Sequence, residues 1–206
     1  VCAVLRGDSE NRLVRTFRPR RRKLGPELSK IYDRLKDGWS IAEHGPTLDL
    51  GEVFANNNQV CLEIGCGRGD LAVSYGPLHP DTNLIAIDIH TRGIANILQG
   101  IENDALVNTR VVEGDVLVLL KRFADASLSE IWVFFPDPWP KARHHKRRLI
   151  NSAFLEIASR LLKPGGQIIF VTDDDSYFES AQAAFVNSNL FALSFNDWDV
   201  PMTTYH

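Results

Sequence analysis

Residues 59–70 read Gln59-Val60-Cys61-Leu62-Glu63-Ile64-Gly65-Cys66-Gly67-Arg68-Gly69-Asp70: an apolar run, then three glycines at alternate positions, then an acid. The run Gln59 to Ile64 suits a strand covered on both faces, and Asp70 to Tyr75 suits the helix after it. Glycines between the two permit positive φ and let the backbone approach a ligand closely in the crevice beyond the strand's carboxyl end. The same turn would also serve as a plain tight connection, so its surroundings must decide between the two.

Downstream the alternation repeats. Strand-like stretches occupy Asn83 to Ile89, Thr109 to Glu113, Glu130 to Phe135, Gln167 to Thr172 and Phe191 to Phe195. The intervals Arg92 to Asn103, Val116 to Phe123, Leu149 to Leu162 and Tyr177 to Asn187 are long enough for crossover helices. This order predicts an α/β fold: a doubly wound, mostly parallel sheet with helices on both faces. Upstream, Pro26 to Leu35 has helical spacing with proline near its start, and Gly45 to Asn58 reads as a connector. At 206 residues and 44% hydrophobic, the chain can build one such domain but not two. Residues 26–206 are expected to form it behind a basic arm at 1–25. A sheet of this kind normally closes with an antiparallel last strand, which is expected to follow His206.

The strand ends carry acids. Glu63 precedes the glycines, Asp88 ends the second strand 19 residues after Gly69, and Asp115 follows the third in Gly114-Asp115. A nicotinamide site would use GxGxxG to hold a pyrophosphate on a helix N-terminus. Here the spacing is GxGxG, and Glu63 would repel a pyrophosphate while suiting a cofactor with an ammonium and a sulfonium. Asp88 can accept both hydroxyls of a ribose, and Asp115 can meet an adenine amino group. These residues resemble the class I S-adenosylmethionine-dependent methyltransferases, over about Gln59 to Phe195.

Charge points to the substrate. The net charge is −3, yet Arg15 to Lys23 and Lys141 to Arg148 hold 11 of the 23 Lys and Arg, leaving 12 against all 26 acids. An acidic body thus displays two cationic segments, which are either solvated charge runs or a nucleic-acid footprint. Three cysteines with no CxxC pair argue against a disulfide framework or zinc knuckle, and a reducing cytoplasm fits. No apolar run of membrane length or signal sequence is seen, so a soluble protein is expected. No exposed apolar helix or heptad stands out, so the sequence leaves the oligomeric state open between a monomer and a homodimer.

The fourth strand runs into Pro136-Asp137-Pro138-Trp139-Pro140-Lys141-Ala142-Arg143-His144-His145-Lys146-Arg147-Arg148. Two prolines fix the backbone around Asp137, and Trp139 could stack on a base while the cations neutralise phosphates. Each feature also has an ordinary account: a loop acid capping a helix, a tryptophan filling the core, surface histidines. Neither histidine has a metal partner at ligand spacing, so no metal is expected.

This segment closely resembles the signature of the bacterial tRNA (guanine-N7)-methyltransferases. Arg15-Thr16-Phe17-Arg18 resembles that family's RNA-binding arm, Ala86 to His90 its second-strand motif, and Thr172-Asp173 with Tyr177 its fifth-strand motif. Pro201 to His206 resembles the segment where the family usually reads Thr-x-Phe-Glu. The resemblance implies methyl transfer from S-adenosyl-L-methionine to N7 of the guanosine at position 46 in the variable loop of tRNA. It implies Glu63, Gly65, Gly67, Gly69, Asp88, Asp115 and Asp137 for the cofactor and Asp137 as the catalytic residue. Lys141, Asp173, Thr203, Thr204, Tyr205 and His206 would contact substrate, and Arg143, His144, His145, Lys146, Arg147 and Arg148 would lie on RNA. Asp88 stands where the family commonly has Glu, and His206 where it usually has Glu; a neutral histidine accepts through one nitrogen only. Two rivals stand beside this reading: methylation of an exocyclic amine, since Asp-Pro-Pro-aromatic loops serve that chemistry, and a non-catalytic RNA-binding module with the same fold.

Overall fold

The structure, a computed structural model, describes residues 23–104 and 106–193. The strands are β1 (Gln59–Ile64), β2 (Thr82–Asp88), β3 (Thr109–Glu113), β4 (Leu128–Phe134) and β5 (Leu162–Val171). The helices are α1 (Pro26–Trp39), α2 (Leu50–Phe54), α3 (Asp70–Leu78), α4 (Thr91–Asp104), α5 (Val116–Leu119), α6 (Ser152–Leu161) and α7 (Asp175–Ser188), with 3-10 turns at Leu120–Arg122 and Ala142–Arg147. The sheet runs β3-β2-β1-β4-β5, and every pairing is parallel. This is the doubly wound α/β fold that the alternation predicts.

Alternation within each strand makes two cores. Leu62, Ile64, Ile85, Ile87, Ile131 and Val133 face one side and join Phe154, Leu155, Tyr177 and Phe185 of α6 and α7. Cys61, Leu84, Ala86, Val111 and Trp132 face the other and join Leu71 of α3 and Ile94, Ile97 and Leu98 of α4. Fully burying one such Leu or Ile stabilises by roughly 1.5–3 kcal/mol, so helices on both faces are what an apolar run at the sheet centre requires. Among the described residues, no helix is long and apolar enough to cross a membrane.

Several boundaries move. Leu50, Val53 and Phe54 form one helical turn inside the expected connector, started by Asp49, whose side chain accepts from Glu52 N at 3.1 Å. Helix α6 begins at Ser152 rather than Leu149 because Asn151 caps it, accepting from Phe154 N at 3.1 Å. Strand β5 starts at Leu162, five residues early, through an irregular register opposite Leu128 and Glu130. Of the expected sixth strand, Phe191 to Leu193 are described and are not in a strand. The basic arm up to residue 22 and the segment 194–206 lie outside the described residues, and with them the expected contacts Thr203, Thr204, Tyr205 and His206.

Candidate active site

The chain order leaves β1 in one direction for β2 and β3 and in the other for β4 and β5, so the connections diverge at the carboxyl ends of β1 and β4. A crevice of about 240 Å³ opens there. Its walls are Gly65 and Gly67, then Ile87 to His90, then Gly114 and Val116, and finally Val133 to Asp137 with Leu149. A doubly wound sheet binds ligands at such a switch point.

The glycine loop has the backbone its composition permits: Gly65, Gly67 and Gly69 have φ of 79°, 57° and 84°. Both Gly65 N and Cys66 N donate to Ile87 O, at 2.8 and 3.2 Å. Gly67 N donates to Asp88 Oδ2 at 2.8 Å, and His90 N to Asp88 Oδ1 at 2.8 Å. Asp88 therefore staples the loop to β2 and also lines the crevice. Burial raises its carboxyl above the ordinary value, and the N–H groups of His90 and Gly67 partly counter that. The loop is also pressed by α4, because a side chain on Gly93 would run into the carbonyl of Gly67.

Glu63 registers with Ala86, two residues before Asp88, so the two acids share a sheet face. It is 3% exposed, and its Oε2 is buried with no hydrogen-bond partner. Burial, and after it the neighbouring Asp88, push the carboxyl up to about 8. A buried acceptor without a donor costs on the order of 1–3 kcal/mol, a penalty that a bound cationic donor would offset. An orphaned carboxylate oxygen behind a glycine cradle fits S-adenosylmethionine. It fits a dinucleotide pyrophosphate poorly. Cys66 is no nucleophile here, since burial and the acids around it hold its thiol well above the ordinary range.

Asp115 does two local jobs. Its side chain caps α5 by accepting from Leu117 N at 2.9 Å, and its own N–H donates to Glu43 Oε2 at 2.5 Å. Glu43 was not singled out from sequence. Its trace is Gly114, where any side chain would collide with the Glu43 carboxylate.

Asp137 is exposed and lines the crevice. Since Phe134 pairs with Val171 and Phe135 N donates to Val171 O at 2.8 Å, Asp137 and the exposed Asp173 leave neighbouring strand ends. Lys141, Arg143 and Lys146 are exposed; His144, His145 and Arg147 are half-buried. For Trp139 the structure selects the core-filling reading over the stacking one, and for Arg148 it corrects the expectation. Trp139 is 3% exposed, with the Arg147 guanidinium 4.8 Å from its ring centroid, so its apolar face is spent on packing and is not a platform for a base. Arg148 is 3% exposed and bonded to Pro138 and to α7, so it is an internal brace and not a cation lying on RNA. No group of three or more metal-ligating side chains occurs among the described residues.

A parallel sheet that reverses at β1 and β4, with a glycine loop and strand-end acids around the crevice, has the fold of the class I methyltransferases. A solved structure described as an antibiotic-related methyltransferase aligns with a TM-score of 0.51 at 19% identity, covering 71% of this chain and 77% of that one. Residues 57–205 match a family described as "Putative methyltransferase". The tRNA (guanine-N(7)-)-methyltransferase of Streptomyces avermitilis is 40% identical over 84% of this chain and 60% of its own length. That of Hyphomonas neptunium is 38% identical over 87% and 84%. The chain belongs to this family of methyltransferases. It spans about 60% of the length of the Streptomyces relative and 65% of a second, from Streptomyces coelicolor.

Proposed function

We propose that the chain methylates N7 of a guanosine in tRNA, with S-adenosylmethionine as methyl donor. The observation that carries this reading is a single crevice walled by both the glycine loop and Asp137, in a chain similar to enzymes named for that reaction. The cofactor would supply an electrophilic methyl group. Glu63 would receive its cationic end, Asp88 its ribose hydroxyls, and the Gly114–Asp115 turn its base.

N7 of neutral guanine has a lone pair and no proton, so no general base is needed and the protein's task is orientation. Well-oriented reactants gain on the order of 7–11 kcal/mol over free ones. Asp137 and Asp173, on adjacent strand ends, would accept from the N1–H and 2-amino donors of the guanine and offset the positive charge that develops on its ring. Lys141, Arg143 and Lys146 would meet phosphates. Incubation of the protein with labelled S-adenosylmethionine and unmodified tRNA, followed by nucleoside analysis, tests this. The expected product is 7-methylguanosine, recognised by its mass and its alkali-labile ring. Label on an exocyclic amine, or none in tRNA at all, would overturn the reading.

A further inference from the structure

The backbone around Asp137 is strained. Phe135 and Trp139 have φ of 46° and 48°, a left-handed conformation that bulky side chains keep only when their surroundings over-determine it. The β4–β5 ladder ends with the bond from Phe135 N to Val171 O, so it holds neither Asp137 nor Asp173 directly. Arg148 takes over beyond that point. Its Nε donates to Pro138 O at 2.9 Å, its Nη1 to Ser176 O at 2.8 Å and Ser180 Oγ at 2.7 Å, and its Nη2 to Ser176 Oγ at 3.0 Å. Asp174 Oδ1, which also caps α7, lies 3.7 Å from Nη2. Tyr177, 4.9 Å beneath the guanidinium, accepts from Ile150 N at 3.1 Å and pins the chain just after Arg148.

These partners fall into two groups. Pro138 adjoins Asp137, while Asp174, Ser176 and Ser180 belong to the start of α7, next to Asp173. Helix stability does not account for the arrangement, because a helix N-terminus presents the positive pole of its peptide dipoles and disfavours a cation. We propose that Arg148 is a positioning residue that clamps the Asp137 loop to the Asp173 turn and so fixes the two carboxylates relative to each other. The inference rests on the function proposed above.

The test compares the intact chain with Arg148→Lys, which keeps the charge but loses the planar fork, and with the double variant Ser176→Ala/Ser180→Ala. Single-turnover methylation at saturating tRNA and cofactor is expected to fall by about tenfold or more in Arg148→Lys, since small misplacements of reacting groups slow reaction steeply. The double variant is expected to fall less. The salt dependence of tRNA binding stays at the wild-type slope, and hydrogen exchange quickens together in residues 136–141 and 173–177. A slope lowered by about one unit with an unchanged saturated rate would make Arg148 a phosphate contact and overturn the proposal. So would exchange that quickens across the whole domain with the rate per folded molecule intact. If the wild-type protein transfers no methyl group to tRNA, the functional reading fails by itself. The exchange measurement still decides the clamp: joint loosening of the two segments supports it and independent behaviour refutes it.

Discussion

At the end of β1, burial and the neighbouring Asp88 push the Glu63 carboxyl from an ordinary 4.5 up to about 8, so the folded protein keeps a proton that the unfolded chain releases. Between those two values the native state binds more protons, and stability must fall as pH rises through that interval, the reverse of the usual behaviour of a carboxylate. Urea unfolding of the ligand-free protein at several pH values between 5 and 8 is expected to show this decline, and Glu63→Gln should flatten it. An equally steep decline in the variant would refute a buried protonated Glu63. A cation bound beside Glu63 favours its charged form, so S-adenosylmethionine binding at pH 7 should release protons, which titration calorimetry in buffers of different ionisation enthalpy detects. For Asp137→Ala, single-turnover methylation is expected to drop by more than about tenfold, roughly 1.4 kcal/mol of barrier, and a smaller loss would remove Asp137 from a central role. The acids at strand ends were readable from sequence because a strand's carboxyl end is fixed once the strand is found. Trp139 and Arg148 were not, because adjacent cations look like surface, whereas the groups that bury Arg148 are Ser176 and Ser180, 28 and 32 residues further on.

The same distinction holds for whole elements. β1 and β3 have the bounds their apolar runs predict, since a strand covered on both faces of a parallel sheet, at its centre or at its edge, carries its own apolar signature. α2 escaped notice because one turn of apolar spacing is too short to separate from a loop, and the starts of α6 and β5 depend on a cap and an irregular register that periodicity does not record. Packing between elements can also reverse a propensity argument. Replacing a glycine inside a helix by alanine ordinarily stabilises by roughly 0.5–1 kcal/mol. Gly93 lies in the first turn of α4, and a methyl group there would meet the Gly67 carbonyl, with that loop already held by Asp88. Gly93→Ala is therefore expected to destabilise the protein by about 1–3 kcal/mol, as overpacking does, and to weaken cofactor binding by displacing the glycine loop. Unfolding and binding measurements check both, and a variant as stable as wild type would show that α4 can retreat freely.

Over the whole molecule, charge is segregated by position in the chain, and the fold decides which part of it can act at a distance. Of the five Lys and Arg between Lys141 and Arg148, only Lys141, Arg143 and Lys146 are exposed; Arg147 is half-buried over Trp139 and Arg148 is enclosed. A count from sequence thus overstates the exposed cationic surface beside the crevice, and the other concentration of positive charge in this otherwise acidic chain is Arg15 to Lys23. Counterion release makes that difference measurable. If an exposed cation contacts a phosphate, its substitution by alanine should lower the slope of log affinity against log salt by about 0.7–0.9 and weaken binding by a similar factor for different tRNAs. The triple variant Lys141→Ala/Arg143→Ala/Lys146→Ala should therefore lose about two units of slope, a change large enough to separate from Arg148→Lys, which loses none. A triple variant that kept the wild-type slope would move the RNA footprint away from this segment altogether, and binding would then have to be traced to cations elsewhere in the chain.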